Sequence, residues 1–230
     1  MKTLGLIGGM SWESTSEYYR IINQTVKEKL GPTHSCRSII YSVDFAEISR
    51  MQHQRDWEGL TAEMVKIARR LEKAGAGLII ICSNTMHIMA DVVADKIEVP
   101  LLHIVDATAE AIKEQGLKTA GLLGTSFTME EGFYKERLQD RHNLTTLTPS
   151  APERETVHRI IYEELISGQI KEQSRQEFQE IIQNLKERGA EGIILGCTEI
   201  PLLIKAEHSN LPLFDTTLLH ARRAVEEILK

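Results

Sequence analysis

The run Gly75-Ala76-Gly77-Leu78-Ile79-Ile80-Ile81-Cys82-Ser83 returns 114 residues later as Gly189-Ala190-Glu191-Gly192-Ile193-Ile194-Leu195-Gly196-Cys197. Each copy is a short apolar stretch, bounded by glycine and rich in isoleucine, which reads as a strand buried on both faces. Two further pairs support the same duplication. Leu4-Gly5-Leu6-Ile7-Gly8-Gly9 resembles Ala120-Gly121-Leu122-Leu123-Gly124-Thr125 at a shift of 116, and Pro100-Leu101 resembles Pro212-Leu213 at a shift of 112. A nearly constant offset across half the chain predicts two similar lobes.

Outward from these segments, apolar runs alternate with stretches of helical period, the pattern of an α/β protein with mainly parallel sheets. Strands are expected at 3–7, 38–43, 78–82, 101–104, 119–123, 144–148, 192–195 and 211–214. The clearest helix is 57–74, where Leu60, Met64, Ile67, Ala68 and Leu71 form one stripe with charges opposite. Similar stripes run through 16–30, 85–96, 107–115, 152–167, 174–188 and 217–229. The first lobe is expected to comprise 1–103 with 211–230, and the second 104–210, with an active site in the cleft between them.

Composition narrows the function. With 230 residues and 42% hydrophobic content the chain can bury a substantial core. No apolar run approaches the roughly 20 residues of a membrane helix, and the start lacks the features of a signal peptide, so a cytoplasmic protein is expected. Three scattered cysteines, Cys36, Cys82 and Cys197, fit neither a disulfide framework nor a paired metal motif. A net charge of −6 without a basic cluster argues against a nucleic-acid partner.

The duplication places Ser83 and Cys197 at equivalent strand ends, where open α/β sheets bind ligands. Two such groups facing one another supply what inversion of an α-carbon needs: one takes a proton from one face, the other delivers a proton to the opposite face. Cys197 follows Gly196, and Thr198-Glu199 can open a helix whose amides lower the thiol pKa toward the working range of a base. The same amides can hold a substrate carboxylate and stabilise the enediolate formed on proton loss, so no cofactor is required.

Other residues admit plainer readings. Cys82 must point away from the face that carries Ser83, because side chains alternate along a strand. Cys36 falls in a loop. Asn84 and Thr85 are expected both to cap the following helix and to meet the ligand, and His87 reads as a structural histidine. Gly5, Gly8 and Gly9 lack the rest of a dinucleotide fingerprint and are read as close backbone approach to a ligand. Lys186-Glu187-Arg188 is a solvated face.

Gly5-Leu6-Ile7-Gly8-Gly9-Met10, Ser83-Asn84-Thr85-Met86-His87 and Gly196-Cys197-Thr198-Glu199-Ile200 together resemble the aspartate/glutamate racemase family over essentially the whole chain. The resemblance implies a homodimer and cofactor-free racemisation of an acidic amino acid by Cys197 and Ser83. It further implies that Met10, Asn84, Thr85, Thr125, Thr198 and Glu199 surround the substrate, with Gln52 reaching in from a loop.

Two departures from the family pattern bear on activity. The family's first cysteine is replaced by Ser83, whose hydroxyl can donate or relay a proton but abstracts one poorly. By the family's assignment the second-half cysteine serves the L enantiomer, so L is expected to react faster than D. Where classical aspartate racemases have a basic residue this chain has Ile166, leaving Arg50, Gln52 or amides to hold a side-chain carboxylate. Hydantoin racemase, maleate isomerase and malonate decarboxylase chemistries remain alternatives, as do an amino-acid sensor and, on the glycine turn alone, a nucleotide binder.

Overall fold

A computed structural model describes residues 1–230 and divides them into two compact units, Met1–Ile104 with His220–Lys230, and Val105–Leu219. In the first unit, β1 (Leu4–Gly8), β2 (Ser38–Ser42) and β3 (Leu78–Ile81) form a parallel sheet in the order β2-β1-β3. Helices α1 (Trp12–Leu30), α2 (Phe45–His53) and α3 (Trp57–Lys73) connect the strands, and β3 leads through a 3-10 turn, Thr85–Met89, into the short α4 (Ala90–Ala94). Leu60, Met64, Ile67, Ala68 and Leu71 of α3 are buried and share one apolar cluster with Ile7, Ile79 and Ile81 of the sheet. The 3.6-residue stripe is thus the face that covers the strands.

In the second unit, α5 (Ile104–Glu114) precedes β4 (Thr119–Gly124), followed by α6 (Ser126–Glu130), α7 (Gly132–His142), β5 (Thr145–Leu147), α8 (Ala151–Glu163), α9 (Glu172–Glu187), β6 (Gly192–Gly196), α10 (Ile200–Leu203) and β7 (Leu213–Asp215); the last helix, α11 (Thr216–Leu229), starts in this unit and belongs to the first from His220 onward. The four strands are parallel in the order β5-β4-β6-β7. Phe178, Ile181, Ile182 and Leu185 of α9 pack with Val157, Ile160 and Ile161 of α8 against Leu123, Ile193 and Leu195 of the sheet.

The duplication holds at the level of strand register. Leu4 pairs with Leu78 in the first sheet, and Ala120 pairs with Gly192 in the second, the positions that the two sequence shifts equate. The weakest sequence pair is matched equally well. Ile79 bridges to Leu101 while its N–H donates to the Pro100 carbonyl at 2.9 Å; Ile193 pairs with Leu213 while its N–H donates to the Pro212 carbonyl at 2.9 Å. Gly5 and Gly121 also correspond. A Cβ on Gly5 would lie 2.9 Å from the Ala76 Cβ, and one on Gly121 would lie 2.9 Å from Leu185 Cδ1, so each glycine allows a neighbouring element to sit tightly on its strand.

Several expectations change. The strand expected at 101–104 reduces to the bridge at Leu101, because Ile104 already begins α5. Residues 211–219 belong with the second unit rather than the first, since β7 completes the second sheet beside β6. The helix expected at 85–96 is a 3-10 turn followed by α4. The glycine turn lies tightly against the protein's own backbone at Val43. Gly9 has φ +89°, and a Cβ there would run into the Val43 backbone, while its N–H donates to Thr15 Oγ1 at 2.8 Å.

Helices α5 and α7 are tied by one charged cluster. Arg137 donates to both oxygens of Asp106 at 2.8 and 2.6 Å, and His142 Nε2 lies 2.7 Å from Asp106 Oδ1. Burial pushes the Asp106 carboxyl up, but the hydrogen bonds and charges of Arg137 and His142 outweigh it and hold the group below its ordinary value. A carboxyl lowered on folding stabilises the chain above its unfolded pKa of about 3.9. That contribution is lost as pH falls through the folded value. Asp106→Asn strips Arg137, whose side chain is 9% exposed, of its counter-charge. The variant is expected to lose on the order of 2 to 4 kcal/mol at neutral pH by urea unfolding, with the difference from the parent shrinking below about pH 4.

Candidate active site

The carboxyl ends of β4 and β6 bring the four expected site residues of the second unit, Thr125, Cys197, Thr198 and Glu199, together. Gly124 pairs with Gly196, so the residues that follow, Thr125 and Cys197, leave the sheet side by side. Thr125 caps α6, its Oγ1 accepting the Thr128 N–H at 3.3 Å. Cys197 is partly exposed, unlike the buried strand before it, and its Sγ–H donates to Glu199 Oε2 at 2.9 Å. Thr198 Oγ1 donates to the same oxygen at 2.7 Å. One carboxylate therefore gathers the thiol and the hydroxyl.

This arrangement reverses the expected thiol pKa. Burial, then the Glu199 charge and its acceptor hydrogen bond, push the Cys197 thiol well above its ordinary value; the Glu199 and Thr198 N–H groups act in the opposite direction but are outweighed. The expected amides are present, but α10, which comes next, has only four residues, Ile200–Leu203, and contributes little dipole. Burial and a neighbouring carboxylate together win over two amides, so the resting residue is a protonated thiol.

Two residues on α8 belong to the same surroundings and have no counterpart in the sequence reading. The Tyr162 hydroxyl is pushed up to about 12 by burial and by the negative charges of Cys197, when ionised, and of Glu199. The His158 ring lies 4.5 Å from that of Tyr162, centroid to centroid, and its Nδ1 accepts the Ser126 N–H at 3.2 Å. A neutral ring accepting at Nδ1 carries its proton on Nε2. His158, Tyr162 and Ile166 recur at a spacing of four in the sequence, the one available signal, but a helical stripe of that kind is ordinarily core.

In the first unit Ser83 is the half-buried residue just beyond β3, and Asn84 and Thr85 are buried. Asn84 does not cap the 3-10 turn with its side chain, because its backbone is already helical, with φ −68° and ψ −53°. Met10 packs in the apolar cluster with Ile48, Met64 and Met86. Gln52 lies on α2 rather than on a loop; it is buried, and its Nε2 donates to the Met86 sulfur at 3.2 Å. Arg50, on the same helix, is exposed. Cys82 is fully buried with its thiol pushed up by burial, and burial raises the Cys36 thiol to about 11, so neither resembles a nucleophile.

His87, expected to be structural, is buried, and its Nδ1 lies 2.7 Å from the Ser83 carbonyl. None of the helices is long and apolar enough to cross a membrane, and His, Cys, Asp and Glu side chains form no cluster of three that could hold a metal ion.

Comparison with known proteins supplies a lineage. Residues 7–224 match the model of the Asp/Glu/hydantoin racemase family. The broad specificity amino-acid racemase RacX of Bacillus subtilis is 24% identical, over 98% of both chains. Among solved structures, a Yersinia pestis protein provisionally described as an Asp/Glu racemase is 51% identical with a TM-score of 0.95, each chain covered in full. An aspartate racemase homologue from Pyrococcus horikoshii is 37% identical with a TM-score of 0.88, again over all of both chains.

Proposed function

The chain belongs to the Asp/Glu/hydantoin racemase family, and from that premise we propose that it racemises an acidic amino acid, aspartate or glutamate, without a cofactor. In this reading Cys197 removes the α-proton of the L enantiomer and Ser83 serves the other face of the α-carbon. The observation that carries it is positional: Cys197 and Ser83 follow strands that correspond in both sequence and register.

The protonated thiol must first lose its proton. Glu199 is placed to take it, leaving a thiolate held by the Thr198 and Glu199 amides. The thiolate accepts the α-hydrogen, the electron pair delocalises into the substrate carboxylate, and Ser83 delivers its hydroxyl proton to the opposite face before regaining one from water. Asn84, Thr85, Thr125 and Thr198 supply donors for the substrate's α-carboxylate. Met10 shapes the apolar wall, and Gln52 lies beneath it. Because a serine hydroxyl is a weak base, turnover from L exceeds turnover from D. The working form in this proposal is a homodimer in the cytoplasm.

The test is incubation with L-aspartate and L-glutamate in deuterated water, following α-deuterium and enantiomer ratio. Deuterium in D product supports racemisation; no exchange with either substrate overturns it. Ser83→Cys is expected to raise the D-to-L rate by roughly 10-fold or more, since a thiol is the better base. No gain would count against Ser83 facing the α-carbon.

A second reading, an amino-acid-binding protein with little turnover, draws on the same Ser83 hydroxyl and on the raised thiol pKa. Wash-in at the L substrate without D product would favour an enzyme arrested halfway. Saturable binding without wash-in would favour the binding protein.

A further inference from the structure

We propose that His87 is a positioning residue for Ser83, held in place by a buried aromatic chain of His103, His220 and Tyr18; the proposal rests on the racemase reading above. The local backbone explains why an imidazole is used. After β3 the chain enters a 3-10 turn, so the His87 N–H reaches back three residues to the Asn84 carbonyl at 3.0 Å. In an α-helix that N–H would bond the Ser83 carbonyl. Here His87 Nδ1 takes its place, 2.7 Å from the Ser83 oxygen, and only a protonated Nδ1 can donate to a carbonyl.

The ring itself is fixed from behind. His87 meets His103 at 4.7 Å and His220 at 5.5 Å between centroids, both edge-on. His220 Nε2 lies 3.0 Å from the Leu102 carbonyl and must donate there, so in the neutral ring Nδ1 accepts the Tyr18 hydroxyl at 2.9 Å. His87, His103, His220 and Tyr18 are each at most 5% exposed. The chain thereby links α1, the turn after β3, the segment following the Leu101 bridge and α11, using opposite tautomers at His87 and His220. A histidine on a solvated helix needs no such backing. His53 makes the same four-residue reach to the Ser49 carbonyl at 2.7 Å on an exposed surface.

The experiment compares His87→Phe with His87→Asn, whose amide nitrogen can occupy the Nδ1 position, on L-glutamate and L-aspartate in deuterated water. Positioning of Ser83 predicts that His87→Phe lowers the ratio of D product to α-deuterium wash-in by about 10-fold while wash-in at Cys197 persists. His87→Asn should restore the ratio to within about threefold. Equal loss of wash-in and inversion in His87→Phe, or no rescue by asparagine, overturns the proposal in favour of a merely structural histidine.

Nitrogen-15 imidazole spectra of the parent protein provide a readout that does not depend on turnover. They should show His87 protonated on Nδ1 and His220 on Nε2, and an Nε2-protonated His87 overturns the proposal. Parent protein that exchanges neither substrate overturns the racemase reading instead. Hydrogen exchange at the amides of residues 83–87, faster in His87→Phe and restored in His87→Asn, then decides whether His87 holds the turn.

Discussion

Cys197→Ala is expected to abolish both α-deuterium wash-in and racemisation, lowering each by about 10²- to 10⁴-fold, the range for removal of a positioned general base. The substitution should leave the fold intact. Cys197 is partly exposed and packs at the edge of the second unit's apolar cluster rather than inside it. Unfolding midpoints measured beside the kinetics separate loss of the base from loss of structure. Persistence of wash-in at more than about a tenth of the parent rate would assign proton abstraction to another group, with Tyr162 or His158 the first to test.

Glu199→Gln is expected to change thiol reactivity and turnover in opposite directions. The Glu199 carboxylate opposes ionisation of Cys197 through its charge and by accepting the S–H bond, so its removal lowers the thiol pKa. Each unit of lowering increases the thiolate fraction tenfold at a pH below the thiol pKa, and alkylation of Cys197 by iodoacetamide near neutral pH should accelerate by about that factor. Racemisation should nevertheless fall by roughly 10²-fold, because in the proposed mechanism Glu199 is the group that takes the thiol proton. Slower alkylation would mean that Glu199 promotes rather than suppresses the thiolate. Unchanged racemisation would mean that water takes the proton as readily.

The strands that carry Ser83 and Cys197 were legible because a buried parallel strand must be a short apolar run, and a duplicated run keeps its spacing. The same logic located α3 and α9, whose stripes cover the sheets. It failed at Leu101, where a single bridge leaves too little periodicity to mark an end. It also failed at α2, whose residues read as loop: the helix has few buried positions, Ile48 and Gln52 among them, so its stripe is faint.

The residue types at the strand ends, and the duplication that equates them, are local or repeated properties and so were set by the sequence without help from the fold. The match to a racemase lineage was set in the same way. The protonation of Cys197 was decided in three dimensions, because it depends on burial of the sulfur and on how a carboxylate two residues away folds back over it. Packing also put Gln52 on a helix against Met86 and made residues 211–219 complete the second sheet. Packing, finally, brings His87, His103 and His220 together although the chain separates them widely. Charge and hydrogen-bond energies fall off over a few ångströms of space, and spacing along the chain fixes those distances only within a single helix or strand.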